Sequence, residues 1–302
     1  MAVSKSKKKP PGSVLLSRRR SAAPAVRHAT AAAQSSSLSS KAGRALIRSH
    51  HTLQKKLSQA LSRNDEAAAC TLRAEIEASG GLEKYQQASI NGQSAQRGGD
   101  SSKLLMQWIN EDCADRTVLK ERGLRMLEVG SLSPDNAVSK SSLFTVTRID
   151  LHSQHPAIET QDFMQRPLPA SDDDKFDLVS LSLVLNYVPD PAGRGDMLRR
   201  TTQFLRRSTE QEPGNPASSL FPSLFLVLPA PCVTNSRYLD EARLRGIMGT
   251  LGYTPVKRKL SAKLIYGLWR HEDTAEAAKQ ANWKKEEVRP GGSRNNFAVT
   301  MN

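Results

Sequence analysis

The sequence predicts an α/β fold whose largely parallel sheet is covered by helices on both faces. From Arg125 onward, apolar runs that are typical of buried strands alternate with amphipathic segments, an order that favours parallel strands joined by crossovers. The 302 residues suit one domain of roughly 200 residues with an appendage. We therefore predict a disordered basic tail at 1–40, a helical accessory region with a Gly-rich connector at 41–100, and the α/β domain at 101–302.

The appendage is predicted to contain two helices. Residues 1–40 consist mainly of Ser, Ala, Lys and Arg without periodicity, so we expect disorder there. From Lys41 to Ser79, apolar residues recur at spacings near three and four, which indicates amphipathic helix. Asn64-Asp65 interrupts this pattern, and Gly80-Gly81 is expected to end the second helix. The basic helical face could pack on the domain or contact a ligand.

The elements of the domain follow from their ends and spacing. SKLLMQWI starts a helix, and Ser133-Pro134-Asp135 predicts a short one, with Ser as the cap and Pro at the first position. Only HSQHPA separates Asp150 from the next apolar pair, so the connection to the third strand is abbreviated or that strand is displaced. Further strands are predicted at RMLEVG, VTRIDL, FDLVSLSLVLNYVPDP and SLFLVLPA, helices at GRGDMLRRTTQFLRR and DEARLRGIMGTLGY, and a loop at 208–222. VKRKL, KLIYGLWR and FAVTM are candidates for the last two or three strands.

Positive charge is concentrated at the amino-terminal end. Residues 1–60 hold thirteen of the 44 Lys and Arg residues and none of the 30 acidic residues, which leaves only +1 of the overall +14 for the rest of the chain. A near-neutral body with a polycationic arm predicts salt-sensitive, sequence-independent attraction to a polyanion, most simply RNA. The alternative is a solvated extension with a sorting role.

Basic clusters and the spacing of the cysteines indicate the compartment of the protein. Lys7-Lys8-Lys9-Pro10 and Arg18-Arg19-Arg20 predict nuclear or nucleolar localisation, although an Arg-rich, Ser-rich start without acids is also compatible with a mitochondrial transit peptide. Neither a secretory signal nor an apolar run of membrane-spanning length is found in the sequence. Cys70, Cys113 and Cys232 are widely spaced, so we expect a reducing compartment and neither disulfides nor a zinc site.

Two strand ends point to a cofactor that contains a nucleoside. RMLEVG stops at Gly130, where a missing side chain lets the backbone approach a ligand closely. Asp150 ends the next strand twenty residues later, and a carboxylate at that position of a Rossmann-type unit can accept both hydroxyls of a ribose. Gly130 is followed by Ser131-Leu132-Ser133-Pro134 with no further Gly, whereas a pyrophosphate needs that bare backbone. A nicotinamide dehydrogenase is therefore disfavoured.

QDFMQRPLP (161–169) and FDLVSLSLVLNYVPDP (176–191) follow these strand ends, and in this order the four strings resemble the class I methyltransferases. The resemblance implies a Rossmann-like fold with a largely parallel seven-stranded sheet that binds S-adenosylmethionine. It also implies that Asp162 faces the adenine amino group of the cofactor, that Phe163 and Met164 line its ring, and that Asp177 opens the strand on the acceptor side. Glu128 could face the methionine amine or be a solvated residue at a strand end.

Longer runs make the resemblance more specific: LEVGSLSPDNAVSKS, RIDLHSQHP, QDFMQRPLP, LSLVLNYVPDPAGRGDMLRRTTQFL, LPAPCVTNSRY and PGGSRNNFAV. Together they are similar to the fungal nucleolar methyltransferases that modify N1 of an adenine in large-subunit (25S) ribosomal RNA. The resemblance runs from about Gly80 to Asn302 and excludes the basic tail. It implies S-adenosylmethionine as the donor, 25S rRNA or a pre-60S particle as the acceptor, and Gly130 with Asp150 as the cofactor-binding pair. We expect a monomer with no membrane or metal partner.

Asn186 and Tyr187 are the candidate acceptor-site residues. Asn186-Tyr187-Val188-Pro189 lies where methyltransferases acting on nucleobase amines carry an Asn or Asp, prolines and an aromatic residue. On that resemblance, Asn186 would bond to the base edge and Tyr187 would stack on an extruded adenine. The alternative is a strand end that turns at Pro189, with Tyr187 in the core.

A polar, Gly-hinged loop precedes the last predicted strand. Loops on a rigid scaffold often carry function, so this one could face phosphate or the cofactor mouth, or could be ordinary surface. Its candidates are Arg289, Arg294, Asn295 and Asn296.

Two rival functions share the same residues. A methyltransferase acting on a protein or a small molecule would need the cofactor strings but not the basic arm. A non-catalytic ribosome-assembly factor could retain the Rossmann core, although the intact set of Glu128, Gly130, Asp150 and Asp162 argues against it.

Overall fold

A seven-stranded sheet forms the centre of the computed structural model, which describes residues 40–93, 99–113, 116–207, 219–272 and 282–301. The strand order is β3-β2-β1-β4-β5-β7-β6. Strands β1 to β5 are parallel, and β7 is antiparallel to both β5 and β6. The prediction of a largely parallel, seven-stranded Rossmann-like sheet is confirmed. The strands are β1 Leu124–Val129, β2 Phe144–Asp150, β3 Glu159–Thr160, β4 Leu178–Ser182, β5 Ser223–Pro229, β6 Tyr253–Leu260 and β7 Leu264–His271.

Eight helices are described. Those of the accessory region, α1 to α3, precede the sheet, and the others lie within the domain. No helix among the described ranges is long and apolar enough to cross a membrane. The helices are α1 Ser40–Ser62, α2 Glu66–Ala78, α3 Gly81–Gln93, α4 Ser102–Asp112, α5 Arg116–Glu121, α6 Pro191–Phe204, α7 Pro231–Thr234 and α8 Glu241–Thr250.

The predicted break in the accessory region is present. Asn64 has a φ of 56°, and the Asp65 carboxylate caps α2 by accepting from Ala68 N at 3.0 Å. Gly80, with a φ of +99°, follows the end of α2 as expected. Helix α3 is a third helix that the sequence did not predict. The predicted disordered tail lies almost entirely outside the described residues, as do 94–98 of the connector and 208–218 of the loop.

The buried residues lie on both faces of the sheet. One face packs against α6 and α8 through residues such as Leu198 and Ile247, and the other packs against α4 through Leu105 and Trp108. Asp177, directly before β4, is fully buried, and its carboxylate accepts from Arg125 N at 2.8 Å. Helices cover both faces, as the alternating pattern predicted.

The short helix predicted at Ser133-Pro134-Asp135 is wrong, because this region consists of turns. Side chains accept backbone N–H groups within single turns, and no helix follows them. Ser133 Oγ accepts from Asp135 N at 3.1 Å, and Asn136 Oδ1 accepts from Ser139 N at 2.9 Å. Short polar side chains compete with helix formation in this way.

The third strand is abbreviated, which is one of the two alternatives that the sequence left open. It has only two residues, which pair with the end of β2, and no helix lies between the two strands. At the other end of the chain, VKRKL and KLIYGLWR lie in β6 and β7, but FAVTM is not a strand. Residues 282–301, the carboxyl-terminal segment, run irregularly and pair only through the isolated bridges Ser236–Asn295 and Trp283–Met301.

Candidate cofactor and acceptor site

The ends of β1, β2 and β4 bring the predicted site residues to one edge of the sheet. Val129 lies opposite Ile149 on one side and Leu181 on the other. Gly130 and Asp150 are therefore the next residues at two adjacent strand ends, and Gly130 N donates to Ile149 O at 2.8 Å. Ligands of open α/β sheets bind at this carboxyl edge.

Gly130 is required by its conformation and by a neighbour. Its φ is +72°, in the left-handed region that favours glycine. A Cβ added there would lie 2.5 Å from Val184 Cγ2. The space that the missing side chain leaves is thus taken by Val184, which belongs to the segment after β4. Gly130 couples the end of β1 to that segment, in addition to any approach to a ligand.

Asp150 and Asp162 are held by short-range turns. Asp150 Oδ1 accepts from His152 N at 2.9 Å, and Asp162 Oδ1 accepts from Met164 N at 2.8 Å. Asp162 Oδ2 has no hydrogen-bond partner among the residues that the structure describes. This oxygen suits the amino group of an adenine, which is the role predicted for Asp162.

Phe163 is a core residue in this structure. It is 3% exposed, its ring centroid lies 5.2 Å from that of Phe204, and its carbonyl accepts from Arg200 Nε at 2.8 Å. Met164, next to it, is only partly buried against the same cluster. Met164 is therefore better placed than Phe163 for lining an adenine ring.

Glu128 is partly buried, with a side chain 14% exposed, and its carboxylate is engaged by protein groups. Its carboxylate accepts from Asn136 Nδ2 at 2.7 Å and from Ser131 Oγ at 3.2 Å, and Arg148 Nε lies 3.8 Å away. Burial raises the pKa of Glu128, against the lowering effect of these partners. The alternative of a solvated residue at a strand end is wrong. A methionine amine would have to share this carboxylate with Asn136 and Arg148.

The segment after β4, residues 183–189, is called the acceptor loop below. It begins at Leu183, a non-glycine residue with a φ of 59°, which is a strained conformation of the kind found at functional sites. Asn186 Oδ1 is buried and has no hydrogen-bond partner among the described residues. A buried carbonyl oxygen without a donor destabilises the free protein, so a ligand that brings an N–H group would relieve that cost.

Tyr187 does not lie in the core, contrary to one of the two sequence alternatives. Its ring is partly exposed and stacks on His51, with centroids 4.3 Å apart and planes 26° apart. Tyr85 meets the ring of Tyr187 edge-on at 5.5 Å, and His50 stacks on Tyr85 at 4.5 Å. These four rings, the aromatic cluster, join α1 and α3 to the acceptor loop. Nothing in the sequence pattern assigns this role to His50, His51 or Tyr85.

The carboxyl-terminal segment fixes the acceptor loop from the other side. Arg194 on α6 donates from Nε to Val188 O at 2.8 Å and from Nη1 to Ala298 O at 2.6 Å. Its guanidinium carbon also lies 4.3 Å from the centroid of the Phe297 ring. Burial lowers the pKa of Arg194 to about 10, so it stays charged near neutral pH. Arg194 thereby joins the loop to the carboxyl-terminal segment.

The polar loop RPGGSRNN is mostly bound to neighbouring backbone. Arg289 donates to Leu239 O at 2.8 Å, Asn295 Nδ2 donates to Pro231 O at 2.7 Å, and Arg294 Nε donates to Pro290 O at 3.0 Å. Asn296 Oδ1 accepts from Arg237 Nε at 2.9 Å. These bonds hold the carboxyl-terminal segment against α7 and the loop that follows it, which is a structural role.

No group of His, Cys, Asp or Glu that could hold a metal ion occurs in the described part of the chain. Cys113 and Cys232 are buried and Cys70 is exposed, all as free thiols. Burial raises the pKa of Cys232 to about 12, so this thiol is not a nucleophile near neutral pH.

Comparisons with known proteins bear on the chemistry of this site. The model of the family described as 25S rRNA (adenine(2142)-N(1))-methyltransferase, Bmt2, matches residues 70–299. A Schizosaccharomyces pombe protein named 25S rRNA adenine-N(1) methyltransferase is 39% identical over 259 residues, covering 85% of this chain and 90% of that protein. A Saccharomyces cerevisiae protein named 25S rRNA (adenine(2142)-N(1))-methyltransferase is 39% identical over 259 residues, covering 83% of this chain and 70% of that protein. The solved 16S rRNA methylase RmtB overlaps 76% of this chain and 98% of that chain at 14% identity, with a TM-score of 0.40.

Proposed function

Since the chain belongs to the 25S rRNA (adenine(2142)-N(1))-methyltransferase family, we propose that it transfers a methyl group from S-adenosylmethionine to N1 of an adenine in 25S ribosomal RNA. The observation that carries the proposal within the molecule is the meeting of three strand ends. They bring Gly130, Asp150 and the acceptor loop to one edge of the sheet.

The residues at this edge fit the cofactor. Asp150 ends β2 where a carboxylate can accept the ribose hydroxyls, and the open Oδ2 of Asp162 suits the adenine amino group. Met164 lies beside Asp162 and offers an apolar side chain to the ring. S-adenosylmethionine, when bound, supplies a methyl group that its sulfonium makes electrophilic.

Little acid–base chemistry is required of the protein. Adenine N1 has an in-plane lone pair and is neutral near pH 7, so it can attack a methyl group without a general base. The rate enhancement then comes from holding N1 in line with the methyl group while water is excluded. Asn186 and Tyr187 are accordingly proposed as residues that bind and orient the base.

The target adenine must be unpaired or flipped out, because N1 lies on the Watson–Crick edge. Asn186 Oδ1 can accept from the exocyclic amino group, which lies on the same edge as N1. Tyr187 can stack on the face of the base. The Asn186 contact would discriminate the base and the Tyr187 contact would hold it, and neither needs the N1 atom that is methylated.

Methyl transfer to purified RNA tests this function. The full chain should transfer labelled methyl groups from S-adenosylmethionine to 25S rRNA from cells that lack the protein. Nucleoside mass spectrometry should then identify N1-methyladenosine. Transfer only to proteins or small molecules would contradict the proposal, and cofactor binding without transfer to RNA would favour a non-catalytic assembly factor.

We also propose that the chain acts in the nucleolus during assembly of the large ribosomal subunit. Two clusters support this location, Lys7-Lys8-Lys9-Pro10 and Arg18-Arg19-Arg20, both outside the described residues. A pre-60S particle and a monomeric enzyme are the expected partner and state. A fluorescent fusion should stain nucleoli, and mitochondrial staining would favour the transit-peptide alternative.

A further inference from the structure

The aromatic cluster is the feature of the molecule that the proposed function does not explain. Helices α1 and α3 could have been attached to the domain by any apolar surface. Instead, His51 stacks on Tyr187 of the acceptor loop, with ring centroids 4.3 Å apart. His51 therefore occupies a face of Tyr187 on which an aromatic ligand would stack.

The surroundings of this face are prepared for a planar, polar ligand. Asn186, the residue before Tyr187, has a buried Oδ1 without a hydrogen-bond partner among the described residues. Tyr85 meets both His51 and Tyr187 edge-on, at 5.8 and 5.5 Å, and so bounds one side of the pair. The pair of rings thus offers two aromatic faces and one aromatic wall, and the residue before Tyr187 carries an acceptor without a donor among the described residues.

His51 behaves as a neutral aromatic ring. Burial and the neighbouring His50 lower its pKa to about 4, so the imidazole carries no charge near neutral pH. It can therefore stack on a base but cannot act there as a cation that attracts phosphate. Base–aromatic stacking tolerates a wide range of rings, because every base has a π face.

We propose that His51 forms the second face of the acceptor slot, so that the extruded adenine inserts between the His51 and Tyr187 rings while Asn186 accepts from its amino group. This inference rests on the proposed function. The two rings are now one stacking distance apart, so insertion separates them by roughly 3.4 Å, the thickness of one base. The accessory helices thus contribute a substrate-binding residue to the active site.

Two substitutions at one position separate stacking from packing. In the full chain, His51→Ala should raise the KM for a 25S rRNA fragment by roughly tenfold or more, since stacking on an aromatic side chain contributes about 1–3 kcal/mol per base. His51→Phe should stay within about twofold of wild type, because it restores a neutral ring. S-adenosylmethionine affinity, measured by calorimetry, should not change in either variant. Gln59→Ala, on the exposed surface two turns along α1, is the control.

Each other outcome overturns the inference. An unchanged KM in His51→Ala would show that the base does not contact this ring, and a higher activity would show that His51 only blocks the slot. Equal losses in both variants, with a lower melting temperature, would assign His51 to packing. If the wild-type chain transfers no methyl group to RNA, the proposed function fails and this inference fails with it. If the wild type is active and His51→Ala matches it, only this inference fails.

Discussion

A single carboxylate at the end of β2 carries most of the expected ribose recognition. Hydrogen bonds to a charged group contribute about 1.5–3 kcal/mol each, so losing two of them should weaken cofactor binding by roughly a hundredfold or more. We predict this loss for Asp150→Ala, measured by titration calorimetry with S-adenosylmethionine. The fold should survive, as judged by an unchanged circular dichroism spectrum.

Two further variants sharpen the Asp150 experiment. Asp150→Asn keeps an acceptor for His152 N but removes the charge, so it separates turn formation from ribose binding. Asp173→Ala is the matched control, because this acid is exposed and its side chain makes no hydrogen bond among the described residues. Normal cofactor affinity in Asp150→Ala would refute the ribose assignment.

Substitution of Asn186 should lower the activity without lowering the stability. Its Oδ1 is a buried acceptor without a donor among the described residues, so Asn186→Ala should leave the free energy of unfolding unchanged or raise it by about 1 kcal/mol. Methyl transfer should fall by roughly a hundredfold, because the base is no longer held by the group that aligns N1. Urea denaturation and single-turnover transfer measure the two effects. A variant that loses stability and activity in proportion would indicate a merely structural residue.

The residues that meet at the strand ends could be predicted, and those that come from the accessory helices could not. Gly130 and Asp150 are twenty residues apart because one strand–loop–strand unit separates them, and that spacing is visible in the sequence. His51 and Tyr187 are 136 residues apart, and no sequence pattern around either residue predicts that their rings stack. Phe163 shows what a sequence does not indicate, because its ring packs in the core against Phe204 while its role towards the cofactor stays a prediction.

At the scale of elements, the junction of β1 with the acceptor loop can be probed by adding one methyl group. Gly130→Ala must accept a φ of +72° and also displace Val184, whose Cγ2 lies 2.5 Å from the added Cβ position. Gly123→Ala must accept a φ of +61° but meets no atom within 4 Å. We therefore expect Gly123→Ala to cost about 1–2 kcal/mol of stability and Gly130→Ala clearly more.

Val184→Ala tests the cause of that difference. In the Gly130→Ala/Val184→Ala double variant the clash is removed. The cost of Gly130→Ala in the Val184→Ala background should therefore fall towards that of Gly123→Ala, as measured by urea denaturation of the wild type and the four variants. Equal costs for the two single glycine substitutions would show that Val184 yields freely and that Gly130 does not couple β1 to the acceptor loop.

The docking of α1 should depend on pH through its histidines. The pKa of His51 is about 4 in the folded chain and 6.5 without burial, so between these values the unfolded state binds more protons. Stability from His51 is therefore present above pH 6.5 and is lost as the pH falls towards 4. Between about pH 7.5 and about pH 5, the free energy of unfolding should fall by at most about 2 kcal/mol because of His51. Screening by solvent makes this loss smaller.

A comparison with His51→Phe isolates this effect. Burial raises the pKa of Glu128, so its contribution changes with the opposite sign, and the lowered pKa of His50 acts with the same sign as His51. Both groups remain in His51→Phe, so urea denaturation at the two pH values should show a smaller loss in the variant. An identical pH dependence in the two proteins would contradict a neutral, buried His51.

One prediction at the element scale was wrong, and one open alternative was not realised. Local side-chain bonds hold turns after Ser133 where a helix was predicted, and FAVTM, one of three candidates for the last two or three strands, is not a strand. Both regions also bond to partners distant in the sequence. Ala137 N donates to Asp100 Oδ2 at 2.6 Å, and Thr300 N donates to Pro191 O at 3.0 Å. Local propensity predicted the sheet strands well, because each strand hydrogen-bonds to adjacent strands that have the same apolar pattern.

At the scale of the whole molecule, charge and chemistry are separated along the chain. Residues 1–39 hold eight Lys and Arg residues and no acids, while the body beyond residue 60 is nearly neutral. Removing residues 1–39 should weaken RNA binding and flatten its dependence on salt by up to about 0.7 logarithmic units for each phosphate that the tail neutralises. Fluorescence anisotropy over a series of salt concentrations measures both effects.

Cofactor affinity is the internal control for this truncation, because the residues proposed to bind S-adenosylmethionine all lie beyond residue 120. It should be the same with and without residues 1–39. An unchanged salt slope would assign the basic tail to sorting alone.

The acceptor loop is held on one side by His51 and on the other by Arg194, and these contacts become possible in a fixed order as the chain is synthesised. His51 leaves the ribosome early, and all seven strands have been made before the carbonyl of Ala298, which binds Arg194, exists. A nascent chain can therefore assemble its sheet while this loop still lacks its last anchor. The last contact that holds the acceptor loop thus joins a sheet whose strands all precede it in the chain.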